Sequence, residues 1–182
     1  MRINKRKISL LIFYVGLSVV GIALAMLTPQ KLDEVKIENP LKPLGYFTVM
    51  LKVENAYDVY GWQAVVEFDP QKIMVIEVVP GDFLDKTIGN EMPVHAYDHG
   101  YKTAEKSFFV YHVADQNKLI IAQTLLGKES GASGNGILAY IKFAYLTEDY
   151  QNFYRLVLNS PYYKTLLLNN ESLPTIGNII FG

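Results

Sequence analysis

Val59 to Leu84 reads VYGWQAVVEFDPQKIMVIEVVPGDFL, two apolar runs with a hinge between them. In the first run Trp62, Ala64, Val66 and Phe68 alternate with Gln63, Val65 and Glu67, the period of a strand buried on one face. Asp69-Pro70 interrupts it, because proline brings no N–H to a ladder and biases the residue before it away from helix. The second run, Ile73 to Val79, is rich in β-branched residues and stops at the turn signal Pro80-Gly81-Asp82. Two strands joined by a tight corner are expected, followed by an exit loop anchored by Phe83.

The same alternation extends outward from this pair. Phe47, Val49, Leu51 and Val53 alternate with Thr48, Met50 and Lys52, and Asn55-Ala56-Tyr57-Asp58 reads as a turn into the central pair. From Asp85 to Lys106 the pattern dissolves, and Gly89, Asn90, Pro93, Asp98 and Gly100 mark a long loop. Ser107 to Val113 and Leu119 to Leu125 read as strands around an Asp115-Gln116-Asn117 turn. Gly127 to Gly136 contains four glycines and reads as a mobile turn; Ile137, Ala139, Ile141 and Phe143 then share one face. Tyr154–Leu158, Tyr162–Leu168 and Thr175–Phe181 complete a set of eight or nine short strands, which argues a β-sandwich.

Half of the 182 residues are hydrophobic and none is cysteine, so neither disulfides nor thiolate chemistry hold or serve this fold. Ile8 to Leu27 is twenty residues without a charge, enough to span about 30 Å of hydrocarbon as a helix. Arg2, Lys5, Arg6 and Lys7 precede it and place the N-terminus in the cytoplasm. Beyond it, 13 Lys+Arg stand against 18 Asp+Glu, a balance with no electrostatic reason to bind nucleic acid. The expected organisation is a basic cytoplasmic stretch at 1–7, a transmembrane signal-anchor at 8–27 and a stem at 28–45, with an edge strand at Glu34–Glu38. A sandwich follows at 33–182. The domain is then extracellular on a single-pass anchor. A cleaved signal peptide ending near Ala23-Leu24-Ala25, which would make it secreted, is the alternative; the length of the apolar run favours the anchor.

Two blocks carry a family resemblance. Tyr60-Gly61-x-Gln63, Phe68-Asp69-Pro70 and Pro80-Gly81-Asp82-Phe83-Leu84 resemble the second and third strands of cohesin domains. Gly131-Ala132-Ser133-Gly134-Asn135-Gly136 and the strand to Phe143 are similar to the glycine turn and next strand of that family. The resemblance implies a nine-stranded jelly-roll-like β-sandwich, all-β, with its terminal strands close together. It also implies a non-catalytic receptor whose partner is a dockerin-like module or another cell-envelope protein. Carried over by motif, the binding face comprises Gln63, Val65 and Glu67, then Glu77, then Gln123 and Leu125, and the loop residues Ser130, Ser133 and Asn135.

His95, Asp98 and His99 form the one local cluster of metal-ligand types but lack a fourth ligand, so no metal and no cofactor is expected. His112 reads as a half-buried, hydrogen-bonded strand residue, and Trp62 as core. The Gly131–Gly136 stretch fails the G-x-S-x-G spacing of a nucleophile elbow, since position 135 is asparagine. No nucleophile–base pair is recognisable, which argues against an enzyme. Asn170-Glu171-Ser172 is a glycosylation sequon. A carbohydrate-binding module with a platform from Tyr97, Tyr101, Tyr111, Tyr162 and Tyr163 is the alternative from another class, and a structural component of a surface layer is a third.

Overall fold

Side chains that alternate in the sequence sort onto the two faces of two antiparallel sheets, and the inner faces meet to form the core. The computed structural model describes residues 42–89, 94–96, 98–149 and 152–182. The basic stretch, the apolar segment 8–27 and the proposed edge strand at 34–38 lie outside them. Eleven strands are present among the described residues: β1 (Gly45–Val59), β2 (Gly61–Phe68), β3 (Ile73–Pro80), β4 (Val94–Ala96), β5 (His99–Thr103), β6 (Ser107–Ala114), β7 (Lys118–Leu125), β8 (Ala132–Tyr145), β9 (Tyr154–Leu156), β10 (Leu166–Leu168) and β11 (Asn178–Phe181). The smaller sheet runs β11-β1-β8-β3, and the larger runs β10-β2-β7-β6-β5-β4, with β9 also on β2.

The sandwich is therefore as expected, whereas the strand count and several boundaries are not. The long excursion read as a loop folds back as the β4–β5 hairpin and widens the larger sheet. The strands expected at Tyr154–Leu158 and Tyr162–Leu168 shorten to β9 and β10, because Val157–Thr165 departs from regular ladder pairing between them while staying bonded to Val65 of β2. Asn55–Asp58 is no turn but part of β1, which continues through two bulges with Asn55 and Asp58 in the left-handed region (φ 53° and 50°).

The corner at Asp69–Lys72 sends β2 and β3 into different sheets. The Asp69 carbonyl accepts from the N–H groups of Lys72 and Ile73, and its carboxylate accepts from Gln71 N–H at 2.9 Å. Trp62, Ala64, Val66 and Phe68 all face the core, as their spacing predicted. They meet Val49, Leu51 and Val53 of β1 and Leu138, Ile141 and Phe143 of β8. Ile137, expected on this face, is replaced in the core by Leu138, because the β1–β8 register shifts between Leu51 and Lys52.

One polar chain crosses this core. Trp62 Nε1 donates to Gln123 Oε1 (3.3 Å), Gln123 Nε2 donates to Ser107 Oγ (3.3 Å), and Ser107 Oγ donates to Asp85 Oδ2 (2.7 Å). Asp85 Oδ1 also accepts from the N–H and hydroxyl of Thr87, at 2.9 and 2.6 Å. Every member is thereby satisfied, as buried polar groups must be. Burial alone pushes the Asp85 carboxyl up. The hydrogen bonds from Thr87 and Ser107 and the nearby Lys106 charge outweigh it, so the group titrates below the ordinary carboxylate value.

Asp85→Ala should lower the unfolding free energy by about 1–3 kcal/mol, since it strands Ser107 and Thr87 donors without an acceptor. A folded-state pKa below the unfolded one stabilises above the unfolded value of about 4 and stops doing so as pH falls through the folded value. Urea unfolding at a series of pH values should show the wild-type advantage over Asp85→Ala narrowing below about pH 4; a gap that stays constant to pH 2 contradicts this.

Candidate functional site

The outer face of the larger sheet is built from the residues that alternate with the core. On β2 these are Gly61, Gln63, Val65 and Glu67, and on β7 they are Lys118, Ile120, Ala122 and Thr124. On β6 they are Phe108, Val110, His112 and Ala114, and on β5 they are His99, Tyr101 and Thr103. Leu166 and Leu168 of β10 close the edge. A shallow groove of ≈ 310 Å³ lies at the centre, lined by Gln63, Phe108, Val110, Ala122, Leu166 and Leu168 among others. Gly61 also lines it, without a side chain. Tyr101, half exposed, stacks on Phe108 with centroids 6.3 Å apart.

One end of this face is covered. The Val157–Thr165 excursion is held against β2 by Val157 N–H to Val65 carbonyl (2.8 Å) and Val65 N–H to Thr165 Oγ1 (3.0 Å). Tyr163 Oη donates to Asp115 Oδ2 at 3.0 Å, and Lys118 Nζ stands 5.6 Å from the Tyr163 ring centroid. Hydrogen bonding to Asp115 raises the Tyr163 phenol above its usual pKa. At the same end Glu67 pairs with Arg155, Nε to Oε2 at 2.7 Å.

The residues expected on one binding face do not share one environment. Gln63 is half-buried at the open groove, its Nε2 donating to the Lys164 carbonyl (2.9 Å). Val65 points the same way but is fully buried, which the covering excursion accounts for. Gln123 and Leu125, expected outward, face the core at 2% and 4% exposure, because they share parity with Leu119 and Ile121. Glu77 lies on the other sheet, beyond a bulge in β3, where it faces Lys142 at 3.8 Å.

The glycine segment is likewise not a free loop. From Ala132 onward it is strand β8, paired with the bulged end of β1. Ser133 Oγ accepts from Asp58 N–H (2.9 Å), and Asn135 Oδ1 accepts from Asn55 N–H (2.8 Å). These side chains satisfy donors that the bulges remove from the ladder. A Cβ at Gly131 would press on the Asp58 backbone, and one at Gly136 on the Phe83 ring. Ser130 is exposed just before this segment.

Of the tyrosines expected to form a platform, Tyr111 is buried in the core, where burial raises its pKa to about 12. Tyr162 and Tyr163 belong to the excursion, and Tyr97 lies outside the described residues. Tyr101 alone of the described four stands on the open face of the strands. His112 is exposed rather than half-buried. Asn170 is exposed in the turn after β10. Among the described residues no group of three His, Cys, Asp or Glu converges as a metal site, and no helix is long and apolar enough to cross a membrane.

A family model described as Cohesin domain matches residues 34–161, more than half of the chain. Among solved structures, a non-cellulosomal cohesin from the hyperthermophilic archaeon Archaeoglobus fulgidus is similar at 18% identity and a TM-score of 0.47. That match covers 76% of this chain and 82% of the other. The type II cohesin A11 from Bacteroides cellulosolvens is similar at 14% identity and a TM-score of 0.48, covering 79% and 86%. No curated protein matches the sequence.

Gly131→Ala should cost about 1–3 kcal/mol, because the added methyl meets backbone that cannot yield. Ser130→Ala, one residue earlier, should stay within about 0.5 kcal/mol of wild type. Thermal denaturation of the two variants distinguishes a strand built around β1 from a mobile turn, which would tolerate both.

Proposed function

The chain belongs to the cohesin family, a family of protein-recognition modules, and from that premise we propose that the open outer face of the larger sheet docks a dockerin-like module. The observation that carries this reading is the groove at Gln63, Phe108, Val110, Ala122, Leu166 and Leu168. It is apolar at its centre, has one amide for a hydrogen bond, and lies next to the stacked Tyr101–Phe108 pair. A central apolar patch with a few polar anchors is the composition of a protein-docking surface. Gln63 remains in the proposed site. Ala122, Val110 and Phe108 replace Gln123 and Leu125, and Ser133 and Asn135 are reassigned to the fold. The apolar segment 8–27, flanked by Arg2, Lys5, Arg6 and Lys7, serves as the membrane anchor and holds the domain outside the cell.

With the full-length chain in detergent as bait, a calcium-dependent binding protein should be captured. Ala122→Arg and Val110→Arg should each weaken it by about tenfold or more, while Glu77→Arg on the opposite sheet leaves it intact. Equal loss with all three variants would place docking elsewhere. Retention of insoluble polysaccharide alone, indifferent to Ala122→Arg, would replace this reading with a carbohydrate-binding one.

Intact mass of the protein recovered from membranes tests the anchor separately. Residues 1–27 should be retained; a mature form lacking residues 1–25 would make the domain secreted.

A further inference from the structure

The sequence-local grouping of His95, Asp98 and His99 is not the grouping the fold produces. In the backbone register His95 stands opposite Gly100, whereas His99 stands opposite His112 of β6. The hydrogen-bond parity of the β5–β6 pair is fixed at both ends. Val113 N–H donates to the Asp98 carbonyl (2.6 Å), and Ala104 N–H donates to the Ser107 carbonyl (2.8 Å). Alternation inward from these makes His99 and His112 a non-hydrogen-bonded pair, the position where facing Cα atoms come to about 4.5 Å and side chains lie closest. Both imidazoles therefore stand side by side on the outer face, and both are exposed.

Asp98 fixes the chemistry of one of them. Its Oδ1 lies 2.7 Å from His99 Nδ1. A carboxylate at that nitrogen takes the Nδ1–H and leaves the lone pair on Nε2, at the far side of the ring, which is how outer-shell carboxylates prepare histidine for a metal.

We propose that His99 and His112 form a two-imidazole chelate for a divalent transition-metal ion of the zinc class, with Asp98 orienting His99. Imidazole nitrogen suits zinc, nickel and copper rather than calcium or magnesium. Two protein ligands make an exchangeable site completed by water, unlike the four-ligand sites that hold small folds together. The site borders the docking face beyond Tyr101 and Val110 but does not depend on any partner being bound there.

Calorimetric titration of the full-length chain in detergent with ZnCl2 should show saturable one-to-one binding at submillimolar ion. His99→Ala and His112→Ala should each reduce the affinity at least about tenfold, and Asp98→Asn by about tenfold, with unchanged far-UV circular dichroism. His95→Ala should bind as the wild type does. Absence of saturable binding overturns the proposal, as does binding that survives both His99→Ala and His112→Ala.

Discussion

Leu119 and Ile121 must face the core, and because side chains alternate along a strand, Gln123 must face it with them. That one parity decides both walls of the larger sheet. Inside, an amide is committed to an apolar layer, where it persists only because the Trp62 indole donates to it and Ser107 accepts from it. Ser107 in turn needs Asp85, which ties the loop leaving β3 to the inner surface of the larger sheet. Outside, the same parity leaves Ile120, Ala122 and Thr124, and the paired register of β6 adds Phe108 and Val110. A slip of one residue would bury a lysine at Lys118 and expose Leu119, so the register is strongly specified.

Strict alternation was the legible part of the sequence. Trp62 to Phe68 and Phe47 to Val53 needed only a period of two to be placed, and each is where that period puts it. Ala139, Ile141 and Phe143 follow it too, but a register shift against β1 places Leu138 rather than Ile137 in the core. The proposed docking face was less legible, because it rests on facts that no single strand contains. A glutamine before a glycine-rich segment reads as surface; only the register with β2 and β6 shows an indole and a hydroxyl waiting for it. Val65 alternates outward correctly and is buried by a segment nearly a hundred residues later. Glu77 follows Gln63 closely in sequence, yet the corner at Asp69 delivers it to the other sheet.

The glycine segment shows why residue type alone misleads. Small polar residues interspersed with glycine are what a mobile loop requires, and also what a strand requires when its neighbour is bulged. The bulges in β1 put Asn55 and Asp58 at positive φ and turn their N–H groups out of the ladder. Short side chains on the facing strand, Ser133 and Asn135, are the right length to accept from them. Glycine at 131 and 136 then admits the Asp58 backbone and the Phe83 ring. The composition of this stretch is set by the shape of β1.

The two ends of the outer face differ in charge as well as in access. Glu67 with Arg155 and Lys118 with Asp115 cluster at the end that the Val157–Thr165 excursion covers. The groove itself carries no ionised side chain among its lining residues. Exposed ion pairs contribute about 0–1 kcal/mol and are screened by salt, so the covered end offers a docking partner little free energy. The open end offers apolar area and an aromatic stack, whose contribution is insensitive to ionic strength. The β4–β5 hairpin enlarges that end, since it supplies Tyr101 to the stack and His99 to its border. Hairpin and excursion thus act in the same direction, moving the open surface away from the charged edge of β2 and toward β5 and β6.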